Sequence, residues 1–211
     1  MRRPTARVGK LRWAGRIVRP ASYNMAMTLR EGVIRFSSFW IYPGLSIAAI
    51  SVTFRKSYGS LLDLLWLIPV GVLGWTILEY GLHRFVFHRE IHNAFLRSLL
   101  NATHFQHHDL PRDREYILVQ LPYALVISAL LAGGIALVCR NLFWTAGILS
   151  GVWAGFLYYE AVHYRVHATS SNGWLLARQR HAHFYHHYHD SKRCFGVTTP
   201  LWDYVFGTTR L

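Results

Sequence analysis

Ten of this chain's thirteen histidines fall into four short clusters. "HRFVFH" carries His83 and His88, "HFQHH" carries His104, His107 and His108, "HYRVH" carries His163 and His167, and "HFYHH" carries His183, His186 and His187. Imidazole is the commonest metal ligand among side chains and suits zinc, copper, iron and nickel alike. Residues three and four apart share a helix face. Each H-x-x-H-H can therefore aim three imidazoles into one volume, and H-x-x-x-H can aim two. H-x4-H is different, because five residues advance about 500° round an α-helix and leave the two side chains roughly 140° apart. Either His83 and His88 serve two neighbouring metals or the helix deforms there. Ten imidazoles exceed the roughly four to six ligands of one ion, so two metals are the economical count.

The fourth cluster lies inside "RHAHFYHHYHD", which adds His181 and His189. Each stands two residues from its nearest cluster member, about 200° round a helix, on the far side. Both are expected to be bystanders, as is His92, which lies outside every cluster. The chain has only ten acidic residues, and two precede histidines at helical offsets, Glu79 before His83 and Glu160 before His163. Each is placed to accept the second N–H of its imidazole and so fix ring and tautomer. Asp109 and Asp190 follow the two H-x-x-H-H clusters and are placed to do likewise from loops. The alternative for Glu79 and Glu160 is snorkelling to a membrane interface.

Positioning such clusters is a task for the segments between them. The chain is 52% hydrophobic and 16% charged, against a usual charged fraction of about 25%. Four apolar runs, 36–54, 61–82, 117–138 and 142–162, are each close to the ~20 residues that cross a hydrocarbon core. The expectation is an all-α integral membrane protein, with four transmembrane helices and a cytoplasmic histidine-rich cap holding a di-metal site. Residues 1–35 then form a basic juxtamembrane segment, preferred over a transit peptide, and 36–211 a single membrane-embedded domain. The net charge of +13 follows from topology: with both termini on one side, that side carries 20 of the 23 lysines and arginines. This is the positive-inside pattern. It makes the termini and the loop 83–116 cytoplasmic, and all four histidine clusters fall on that same face. No stacking-platform motif accompanies the charge, so nucleic acid is excluded as a partner. Cys139 and Cys194 have no metal-type spacing.

The order H-x4-H, H-x-x-H-H, H-x-x-x-H, H-x-x-H-H resembles the fatty acid hydroxylase / sterol desaturase superfamily, and within it the fatty acid 2-hydroxylases. "EYGLHRFVFH" (79–88), "THFQHH" (103–108), "YYEAVHYRVH" (158–167), "HFYHH" (183–187) and the tail "FGVTTPLWDYVFGT" (195–208) sit as that family's motifs do. The likeness covers roughly residues 60–210, and it is specific because all four boxes occur in order. It implies a di-iron centre held by the ten cluster histidines, with zinc as the alternative occupant in purified protein. It also implies O2 as co-substrate and hydroxylation of a lipid acyl chain at C-2. Fused haem domains found in yeast and animal members have no counterpart in these residues. A separate electron donor is therefore implied, either a cytochrome b-type protein or a ferredoxin with its reductase. The location implied is the endoplasmic reticulum for a eukaryotic source and the inner membrane for a bacterial one.

Rival readings are a sterol-ring or carotenoid hydroxylase of the same fold, a non-enzymatic metal-binding or transport protein, and a zinc hydrolase. Transport would place ionisable residues mid-span, whereas here they gather at one face. A hydrolytic zinc keeps three protein ligands and a water, and ten histidines are too many.

Overall fold

The computed structural model describes residues 29–210, except 57–58, 90–91, 95–96, 98–99, 101–103, 112 and 170–172. Most of the basic segment expected at 1–35 thus lies outside the described residues. Those residues form helices and connecting loops, with no strand among them. In chain order the helices are α1 (Leu29–Arg35), α2 (Ser38–Arg55), α3 (Leu64–Gly81), α4 (Gln106–Asp109), α5 (Leu121–Cys139), α6 (Leu142–Ala168), α7 (Trp174–Tyr188) and α8 (Leu201–Val205). A 3₁₀ turn, Leu61–Asp63, leads into α3, and a π-helical segment, Leu82–Phe87, continues it.

Local chemistry sets these boundaries. Ser60 and Asp63 form a reciprocal capping box: Leu62 N donates to Ser60 Oγ (3.2 Å) and Ser60 N to Asp63 Oδ2 (3.0 Å). This satisfies backbone donors that a helix start leaves open. Arg140 ends α5 in the left-handed region, at φ 49°. Asn141 then opens α6, its Oδ1 accepting from Phe143 N and Trp144 N at 2.9 and 3.0 Å. The α5–α6 connection is therefore a two-residue hairpin, which forces the helices antiparallel.

Helix α6 is the centre of the bundle. It packs most extensively on α3, then on α2 and α5. At the α3–α6 crossing, a Cβ on Gly71 would lie 2.0 Å from Ile148 O, and one on Gly151 would lie 2.1 Å from Ile68 O. The two backbones touch, and only glycine admits that approach. Around the crossing, Tyr42, Trp75, Ala124, Leu149, Val152, Trp153 and Phe156 form the main apolar core. A polar knot ties three helices inside it: Ser128 Oγ on α5 bonds Tyr42 Oη on α2 (3.0 Å) and accepts from Trp153 Nε1 on α6 (3.2 Å).

The outer faces are apolar too, as with Leu130, Leu137 and Val138 of α5, 72–84% exposed. Such a surface is stable against lipid rather than water. Three stretches are long and apolar enough to cross a membrane: Leu61–Phe87, Leu121–Cys139 and Leu142–Ala168. Of the four expected runs, 36–54 forms the 18-residue α2 but falls outside that group. Three serines, Thr53, Pro43 and Arg55 dilute its apolar character.

Candidate metal centre

All ten cluster histidines converge at one end of the bundle, in two groups of five. His83, His88, His104, His108 and His186 form the first, and His107, His163, His167, His183 and His187 the second. Within each group the candidate ligand atoms all lie within 4.8 Å of one another. The groups are adjacent, since the His108 and His187 rings stack across the boundary with centroids 4.3 Å apart.

One rule explains the membership. Histidines four apart share a group (104 with 108, 163 with 167, 183 with 187), whereas the i+3 residue crosses to the other. His107 leaves its own cluster for the second group, and His186 leaves its own for the first. The expectation that each H-x-x-H-H fills one volume is corrected accordingly. On an α-helix i+4 lies about 40° from i while i+3 and i+4 lie about 100° apart, enough to point at two neighbouring centres. The exchange interlocks α4 with α7.

His83 and His88 share a group because the helix deforms. They bracket the π segment Leu82–Phe87, whose hydrogen bonds join residues five apart. A five-residue spacing that misaligns side chains on an α-helix aligns them on a π turn. Of the two alternatives read from the spacing, deformation is the one the chain adopts.

The ring nitrogens face each other directly. Nε2–Nε2 separations are 3.1 Å for His104–His88, 3.0 Å for His186–His88 and 3.3 Å for His186–His108. In the second group they are 2.9 Å for His163–His107, 2.8 Å for His183–His167 and 3.0 Å for His187–His183. Ligands at right angles around an ion with metal–nitrogen bonds of about 2.1 Å stand about 3 Å apart. The outward nitrogens show which end is free. His83 Nδ1 lies 2.5 Å from Phe195 O and His186 Nδ1 lies 2.7 Å from Arg193 O. A carbonyl only accepts, so each Nδ1 carries the proton and each Nε2 a lone pair. His83 Nε2 is buried without a hydrogen-bond partner among the described residues. Five imidazoles converging in this way, with His83 and His186 turning lone pairs inward, fit a metal ion and are poorly satisfied by protons alone.

Electrostatics favours the same state. Burial, helped by His186, pushes His88 down to about 4, and burial pushes His186 down to about 4. His104, His107, His108, His183 and His187 are also depressed, by burial first and by neighbouring imidazoles second. Near neutral pH these rings are uncharged, the form that binds metals.

The carboxylates act one step further out than expected. Glu79 does not accept from His83. Its Oε1 accepts from Val197 N (2.6 Å) and Thr198 N (2.9 Å), and Oε2 from the Thr198 hydroxyl. It thereby pins the segment whose Phe195 carbonyl holds His83. Asp190 pairs with Arg193 (3.3 Å), whose carbonyl holds His186. Glu160 accepts from Val119 N at 3.2 Å, fixing the entry to α5. Asp109 ends α4, directly after His108. For Glu79 and Glu160 the competing pull is the same, from backbone N–H groups of loops: Val197 and Thr198 in one case, Val119 in the other.

His181, His189 and His92 are exposed and lie outside both groups. His181 contacts Arg210, and His189 stacks on Tyr185. Missed from sequence were Phe195, packed edge-on against His83, His88 and His186, and Asp203. Asp203 is buried and accepts from Phe195 N, Gly196 N and Thr208 Oγ1 at 2.7–2.9 Å. An acid in an apolar tail of an acid-poor chain was the available signal.

A profile of the fatty acid hydroxylase family matches residues 68–208, which takes in all four histidine boxes and the tail. The chain belongs to the fatty acid hydroxylase family. Among related hydroxylases it is 34% identical over 143 residues to the ceramide very long chain fatty acid hydroxylase of Schizosaccharomyces pombe, covering 66% of this chain and 41% of that one. It is 36% identical over 152 residues to the Saccharomyces cerevisiae protein of the same description, covering 68% and 38%. It is 34% identical over 146 residues to the fatty acid 2-hydroxylase of Rattus norvegicus, covering 67% and 39%. The chain thus spans about two-fifths of the length of these relatives. A solved structure, full-length scs7p with only its hydroxylase domain visible, shares the fold, with a TM-score of 0.76, 24% identity and coverage of 87% of this chain and 70% of that one.

Proposed function

We propose that this hydroxylase-family chain is a membrane di-iron oxygenase that hydroxylates a fatty acyl chain at C-2, drawing electrons from a separate donor. The observation that carries the reading is the pair of five-imidazole groups, which match two neighbouring transition metals and no other common ligand. The named relatives are ceramide and fatty acid 2-hydroxylases, which supports an acyl substrate over a sterol or carotenoid ring. Bound iron would supply the O2 activation needed to attack an unactivated C–H bond. One oxygen atom enters that bond and the other leaves as water, with two electrons and two protons from the donor.

The chain's own part is placement. His83, His88, His104, His108 and His186 hold one ion, and His107, His163, His167, His183 and His187 the other. Glu79, Glu160, Asp109 and Asp190 support them, Glu79 and Asp190 through the carbonyls of Phe195 and Arg193. The Phe87 ring stacks on His104 and Tyr159 on His163, keeping water from the imidazoles. We place α2 as a fourth membrane helix beside the three apolar ones, with termini and histidines on the cytoplasmic side. An acyl tail then reaches the centre from the bilayer. Cells expressing the protein with a reductase and donor should accumulate 2-hydroxy acyl lipids, and His186→Ala cells should not. Hydroxylated sterols or carotenoids in their place overturn the acyl substrate.

A further inference from the structure

A cavity of about 300 Å³ opens against the first histidine group, lined by Arg84, Phe85, His88, Ser191, Lys192 and Phe195. Its wall is divided. Arg84 and Lys192 supply two cations and Ser191 a hydroxyl, Phe85 and Phe195 supply apolar rings, and His88 belongs to the metal group. No acid lines it. Asp190, two residues from Lys192 in sequence, is engaged by Arg193.

Arg84 is held in place and does not dangle. Its Nη1 donates to Tyr80 Oη at 2.7 Å, and the guanidinium lies 5.0 Å from the Phe85 ring and 5.9 Å from Phe206. Tyr80 is anchored in turn by Thr208 Oγ1 at 2.9 Å. A preorganised guanidinium beside an apolar wall suits an anionic oxygen pair attached to a hydrocarbon.

Size and position narrow the ligand. About 300 Å³ is at the low end for ligand pockets, so it takes a polar head and the first carbons of a chain, not a whole lipid. Bonded carbons lie about 1.5 Å apart. If C-2 reacts at the metals, the group on C-1 must sit beside them, where this cavity is. We propose that Arg84 and Lys192 bind an anionic head, carboxylate or phosphate, of the acyl substrate, so that this enzyme prefers a charged acyl lipid over a neutral amide. The inference rests on the acyl-hydroxylase reading.

The test is equilibrium binding to the metal-loaded protein in detergent without O2, where no turnover occurs. Palmitate, a monoacyl glycerol phosphate and palmitamide are the probes. The wild type should bind at least one anion about tenfold more tightly than palmitamide, a charge-assisted bond's worth. Lys192→Gln, a change on exposed surface, should remove most of that preference while leaving palmitamide binding unchanged. Palmitate binding tighter than the phosphate identifies a free acid as the source, and the reverse identifies a phospholipid head. Equal binding of palmitamide and both anions by the wild type overturns the proposal. So does a preference that survives in Lys192→Gln while donor-driven turnover, read in a separate aerobic assay, falls, because the cations then dock an acidic electron donor. Hydroxylation of acyl chains without any anion preference sinks this inference and leaves the hydroxylase reading intact. Anion preference without any hydroxylated product does the opposite.

Discussion

His183 and His186 stand three residues apart on one helix and belong to different groups, so single substitutions should separate the two metals. His186→Ala removes a ligand from the first group and His183→Ala one from the second. Each should lower metal content toward half, while His181→Ala, His189→Ala and His92→Ala stay near wild type. Loss of metal in His181→Ala equal to that in His186→Ala would show a looser chelator. Glu79→Gln tests the indirect support. The amide oxygen can keep the backbone N–H groups of Val197 and Thr198, but its NH2 then meets the Thr198 hydroxyl that donated to Oε2, costing about 1–3 kcal/mol of stability. Metal affinity in the first group should fall about tenfold, with the second group unchanged; an equal loss in both would contradict the route through Phe195. Acid sensitivity follows from His88 and His186. Their folded pKa of about 4 lies below the unfolded value of about 6.5, so the unfolded chain binds more protons between these limits. Metal-free protein should thus be most stable above about pH 6.5 and lose stability as pH falls toward 4. Thermal unfolding in detergent at pH 7.5 and 5 reads this directly, and a higher midpoint at pH 5 would refute it.

At the scale of elements, the site depends on α3 and α6 keeping their distance, because one leads into His83 and His88 and the other carries His163 and His167. Gly71→Ala puts a methyl where Ile148 O lies 2.0 Å away. The helices must part, at a cost of about 1–3 kcal/mol, and metal content should fall with thermal stability. Gly74→Ala meets nothing within 4 Å and should be neutral or slightly stabilising, since alanine is the better helix former by about 1 kcal/mol. Equal destabilisation by both would remove the close-approach explanation. The elements also show what was legible in the sequence. The all-helical class and the ten clustered histidines could be read directly, because apolar runs and i, i+4 spacings survive without tertiary context. The sharing of histidines between groups could not, since it depends on where α4 and α7 meet. The π segment was half legible: the five-residue spacing announced a conflict with α geometry, and only packing resolved it. The tail's role was hidden because Glu79 finds it 118 residues away.

For the whole molecule, the outward apolar faces and the histidine end define how the chain sits in a bilayer. The proposed topology puts Cys139, in the α5–α6 hairpin, on the side opposite the histidines. Cys194 falls on the inner side in that topology but is buried, so the exposed position 189 serves as the inner probe. With impermeant thiol reagent, Cys139 should label from outside and His189→Cys only after the membrane is opened. Labelling of both from the same side would overturn the four-span arrangement. The central claim, that two five-histidine groups hold two metals, is tested most directly by counting metal in anaerobically purified, folded protein. Two iron ions per chain are predicted, falling to about one in both His183→Ala and His186→Ala. A wild-type protein that is folded yet saturates at a single ion would contradict it.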